Sequence, residues 1–164
     1  MFRKNKNNLK PEWIFSQKGN LWKFIFGGND FIAGETRDRE NKILYFFSIS
    51  IKDGIRHMSD FLFEEGNYWV SVEGASSRIL YLNRFEKPEL PYYKNIIALD
   101  ILTGRKLWEN DDYQYFFSTE DKLFGIKQKF QSTEISEIDI RNGKTDKIFL
   151  DDEYPALLDL KRKS

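Results

Sequence analysis

Residues 97–108, running from Ile97 to Trp108, constrain the fold of this chain more than any other stretch. Ile97, Leu99 and Ile101 alternate with Ala98, Asp100 and Leu102, the period of a β-strand. Thr103 and Gly104 then supply a turn, because glycine takes a positive φ without a Cβ clash and threonine bonds locally to the backbone. Asp100 is placed to accept N–H bonds from that turn, as Asx side chains do. Arg105 to Trp108 starts a returning strand. The stretch reads as a β-hairpin with a tryptophan projecting from its second arm. Gly104 and its counterpart Gly143 are expected at positive φ.

The spacing Ala98-x-Asp100-x-x-Thr103-Gly104-x-x-x-Trp108 resembles the tryptophan-docking repeat of pyrroloquinoline-quinone-type β-propellers. The resemblance implies that Trp108 stacks on a peptide of the neighbouring blade and that the small Ala98 leaves room for it. It also implies an all-β fold, a small or partial β-propeller of four-stranded antiparallel blades. It implies no activity, because one blade type serves enzymes and scaffolds alike. The family's quinone enzymes use a larger propeller, commonly with calcium and a vicinal cysteine pair, and this chain has neither that length nor any Cys. No cofactor is expected.

Fainter copies of the repeat flank the central one. Asp139-Ile140-Arg141-Asn142-Gly143 repeats the Asp-x-x-Thr-Gly turn with Asn for Thr. Trp13 to Phe26 reads as a hairpin turning at Gly19, with Trp22 on its return strand. Phe31 to Arg37, Ile43 to Ile51, Tyr68 to Glu73, and four segments between Tyr113 and Leu150 read as strands, and Ile79 to Phe85 as a strand additional to the repeat. Residues 87–93 carry two prolines, Pro88 and Pro91, and read as an inserted loop, since proline is excluded from central strands. The turn glycines Gly19, Gly54, Gly104 and Gly143 fall roughly 40 residues apart, the period of a four-stranded blade. Roughly three blades and a fraction result, short of the usual four to eight. The chain can close as a very small ring, stay an open arc with pairing edges, or complete a larger assembly. Residues 34–38 and 97–108 together look like a small bacterial propeller-like family of unknown function. Residues 1–10 read as a flexible tail, 11–150 as the β domain, and 151–164 as a C-terminal tail with a short helix near Ala156 to Lys161.

Composition narrows the function classes. Lys plus Arg equals Asp plus Glu at 26 each, so no field favouring nucleic acid is expected. Without cysteine there is no disulfide framework and no thiolate chemistry. With His57 as the single histidine, neither a zinc site nor a Ser-His-Asp triad has support. No apolar run approaches the ~20 residues of a membrane helix, and the basic start lacks the apolar core of a secretory signal. A cytoplasmic location, no membrane partner and no metal are expected.

Aligning the strands sets Glu35, Glu73 and Lys127 at one recurring position, with Arg37 two residues beyond Glu35. In a propeller such charges converge at the mouth of the axial funnel, where they could bind a small ligand or do acid–base work; strand ends also carry charges merely to face water or pair. Ala98, Asp100, Thr103, Gly104, Trp108, Asp139 and Gly143 are read as structural. Tyr92 and Tyr93, in the proline-bearing stretch, are the expected protein contact, since tyrosine is enriched at interfaces. The sequence thus favours a non-catalytic protein-binding module, with a ligand-binding or hydrolase-like funnel as the alternative. An open sheet ring would allow oligomers.

Overall fold

The fold, seen in a computed structural model, is three four-stranded antiparallel sheets that follow one another along the chain. Residues 10–63, 68–76, 78–87 and 90–164 are described, with only the backbone at 86–87 and 90–94. The expected flexible tail, apart from Lys10, therefore lies outside the described residues. The first sheet holds β1 (Asn20–Gly27), β2 (Phe31–Asp38), β3 (Ile43–Ser50) and β4 (Arg56–Phe61). The second holds β5 (Val70–Ser76), β6 (Ile79–Lys87), β7 (Leu90–Asp100) and β8 (Lys106–Asn110), and the third β9 (Gln114–Ser118), β10 (Leu123–Gln128), β11 (Thr133–Ile138) and β12 (Thr145–Ile148). In each, neighbours in sequence are neighbours in space. This is the blade of the all-β, partial-propeller reading.

The blades pack face to face. Ala33, Leu44, Phe46 and Met58 of the first meet Val70, Val72, Leu80, Leu82 and Ile97 of the second. Tyr81, Ala98 and Trp108 of the second meet Tyr113, Leu123 and Ile138 of the third. Strands buried on both faces explain the near-continuous apolar runs at Ile96–Leu99 and Leu80–Leu82. Beyond the third blade, α1 (Tyr154–Lys163) lays Leu157 on Phe117, Phe124 and Ile135. The C-terminal segment is thus a packed helix that covers the face a further blade would take.

Three turns repeat one geometry. Gly54, Gly104 and Gly143 all lie at positive φ, between 68° and 74°, and their N–H groups bond back to Ser50, Asp100 and Asp139. An aromatic ring from the preceding part of the chain lies on each: Trp13 on Gly54, Phe61 on Gly104, Trp108 on Gly143. The indole N–H of Trp108 donates to the Ile140 carbonyl at 2.8 Å, and that of Trp13 to the Ile51 carbonyl at 3.1 Å. A Cβ at Gly143 would stand 2.5 Å from the Trp108 ring, so glycine serves both the dihedral and the contact.

Three sequence expectations are corrected. Residues 11–19 form no hairpin with β1; they run extended along the first blade, where Trp13 docks on Gly54 and Gln17 bonds the Phe46 carbonyl. Gly19 does have a positive φ, but it leads into β1, which pairs with β2. Residues 79–85 are not an additional strand but the ordinary second strand of the second blade. The inserted loop is instead the end of a long hairpin: Leu90–Asp100 is one strand, with Tyr93 opposite Phe85 and Leu90 opposite Lys87. Pro91 is tolerated there because β8 pairs only with the 96–99 half of β7, leaving the Pro91 half as an edge. The side chains of Tyr92 and Tyr93 lie outside the described residues.

Candidate functional site

Glu35 and Arg37 are i, i+2 neighbours on β2, so both project from one face of the strand, toward the second blade. Glu35 is fully buried and the Arg37 side chain is 7% exposed. The guanidinium donates from Nε at 3.1 Å and from Nη2 at 2.7 Å to Glu35 Oε1. Arg37 Nη2 also donates to the Val70 carbonyl at 3.1 Å, and the Val72 N–H donates to Glu35 Oε2 at 2.7 Å. Trp22 and Tyr68 lie against the cation, with ring centres 5.0 and 5.3 Å from the guanidinium carbon. Both carboxylate oxygens are therefore engaged, and the pair ties β2 to the first strand of the next blade. Such a site holds charge in place; it does not leave a base free for substrate.

Glu73 stands beside this pair on β5. Its Oε2 accepts from Lys23 Nζ of β1 at 3.0 Å, a second bridge between the same two blades. Among the described residues, its Oε1 is buried without a hydrogen-bond partner. Burial pushes the Glu73 carboxyl above the ordinary range; the Lys23 charge opposes this and the Glu35 charge adds to it. Across Gly74 lies Tyr115 of β9, whose hydroxyl bonds Ser118 Oγ at 3.0 Å and is pushed up by its burial.

A carboxyl with a raised folded value holds its proton where the unfolded chain has released it. Its burial disfavours folding above the raised value, and the penalty is relieved as pH falls through it toward the ordinary carboxylate range. Glu73→Gln is expected to flatten the rise in stability on mild acidification, measured by urea unfolding across that window. An unchanged slope would show that Glu73 does not titrate there.

Lys127 does not join the group. It lies on β10 of the third blade, pairs with Asp112 at 3.0 Å and rests over the Tyr113 ring. Glu35 and Lys127 do sit at matching places on the second strands of their blades, whereas Glu73 lies on a first strand, so it is Glu73 that stands out of the expected alignment. The structure thus brings together Glu35, Arg37 and Glu73, and adds Lys23, Trp22 and Tyr68, which the sequence reading missed. The legible signal was Glu35-x-Arg37 itself: opposite charges on one face of a strand between buried residues. Among the described residues, no group of three or more His, Cys, Asp or Glu side chains is placed to hold a metal ion. No helix among them is long and apolar enough to cross a membrane.

The sequence model described as Domain of unknown function (DUF4905) matches residues 27–108. The chain belongs to the DUF4905 family. In this DUF4905 member the matched span runs from the end of β1 to the docking Trp108, and it holds Glu35, Arg37 and Glu73. No curated protein matches the sequence. Among solved structures, the DUF4905 chain is similar to the crystal structure of BamB from Moraxella catarrhalis, with a TM-score of 0.46 and 12% identity over 76% of this chain. It spans about a third of that protein, 35% of its length.

Proposed function

We propose that this chain is a non-catalytic protein-binding scaffold built from propeller blades. The observation that carries the reading is an apolar face on the first blade that the described residues leave exposed. Leu21, Phe24 and Phe26 of β1 are 61%, 52% and 62% exposed, although β1 lines a blade whose other face is core. Contiguous apolar surface of this kind marks interaction sites. The engagement of Glu35 and Arg37 with one another, and with the β5 backbone, supports binding over chemistry. The β6–β7 hairpin that carries Tyr92 and Tyr93 is a second candidate contact. The immobilised chain tests the reading. Serine at Phe24 and Phe26 is expected to abolish partner capture at nearly unchanged thermal stability. Serine at Tyr92 and Tyr93 weakens it only if the hairpin shares the contact. Capture indifferent to both pairs would contradict the proposal.

The second reading, a small ligand held at the blade junction, is favoured by one observation: the unsatisfied Oε1 of Glu73, which a ligand N–H or O–H could serve. It requires Glu73→Gln to remove binding while the Phe24 and Phe26 substitutions leave it intact.

A further inference from the structure

We propose that a second copy of this chain covers the exposed face of the first blade across a two-fold axis. The inference rests on the binding-module reading above and names its partner. On that face, Leu21, Phe24 and Phe26 form a ridge along β1, the two phenylalanine rings meeting edge to face at 6.1 Å. Beside Leu21 and Phe24 runs an apolar groove of about 290 Å³, floored by Ile32, Phe47 and Ile49 and lined also by Trp13 and Phe15, while Phe26 borders a separate cleft next to Leu160 of α1. A ridge next to a groove on one surface is self-complementary: a two-fold rotation sets each ridge into the other groove.

The area also fits. Large aromatic side chains bury ~150–250 Å² each, so the two half-exposed phenylalanines, with Leu21 and the groove edges, offer on the order of 400 Å² of apolar surface. A standard interface takes ~800 Å² from each partner, and in homodimers ~65% of it is apolar, which is about 500 Å². On the third blade α1 already lies over Phe117, Phe124 and Ile135 through Leu157, so a head-to-tail stack of first blade on third blade would have to displace it. The same face meeting on both copies closes at a dimer.

The chain contains no cysteine, so single cysteines report contact directly. Sedimentation velocity of the full chain is expected to show a concentration-dependent dimer. Phe26→Glu is expected to give a monomer with unchanged circular dichroism, and Phe26→Ser, a milder change, to weaken the dimer likewise. Phe24→Cys should be trapped as a dimer by a short bis-maleimide, whereas Phe130→Cys should not, although Phe130 is 99% exposed. A wild-type chain that stays monomeric at every concentration overturns the proposal, as does crosslinking at 130 as readily as at 24. A monomer that still captures another protein through Phe24 and Phe26 overturns self-association and leaves the binding module standing. A monomer without such capture overturns both.

Discussion

Trp108→Ala is expected to lower the free energy of unfolding by about 3–5 kcal/mol, the scale for truncating a large buried aromatic. The ring is 8% exposed and lies between Tyr81, Tyr113 and the Gly143 turn. Truncation removes packing at the junction of the second and third blades and strands the Ile140 carbonyl that the indole N–H satisfies. Urea denaturation of the wild type and the variant measures the loss. Trp108→Phe keeps most of the packing and loses only the hydrogen bond, so it should fall well short of the alanine cost. A loss below about 1 kcal/mol for alanine would contradict the docking role.

Arg37→Ala is expected to cost about as much, some 3–5 kcal/mol, for an electrostatic reason. It leaves Glu35, which has no exposed surface, as an uncompensated charge whose remaining donor is the Val72 N–H. It also removes the guanidinium from between Trp22 and Tyr68. Arg37→Lys should recover little: a single ammonium cannot reach Glu35 and the Val70 carbonyl together while lying flat against two rings. The same denaturation series checks both variants.

Much of the fold was legible because its turns are local. Asp100 accepts bonds from the Leu102 and Thr103 N–H groups at 3.1 and 2.8 Å and from the Thr103 hydroxyl at 2.9 Å. Burial opposes the charge at Asp100, but these bonds outweigh it and hold the carboxyl below the usual range. Asp139, bonded by the Arg141 side chain and backbone, is held down to about 2. All of these contacts span two or three residues, so a sequence motif records them. What stayed hidden is long-range. Trp13 and Phe61 do the same work as Trp108, but neither keeps its spacing, because what matters is reach to Gly54 and Gly104 on another segment. The prolines near residue 90 argue against a central strand and are silent about an edge. At the charged site, Glu35 and Arg37 were visible as residue types, while their mutual pairing depends on β5 arriving to supply the Val70 carbonyl and the Val72 N–H. Chemistry-bearing side chains therefore suggested a funnel, and tertiary packing turned them into a clasp between blades.

That clasp is tested most directly by a double-mutant cycle on Glu35→Gln and Arg37→Met, with unfolding free energy and partner capture read on the same four proteins. Each single substitution is predicted to destabilise strongly, the double to recover a large part of the loss because no charge is left buried, and capture to persist in every variant that folds. The contradicting result is the reverse: single substitutions nearly neutral in stability that abolish capture, which would make the pair a binding site and not the fastening between two blades.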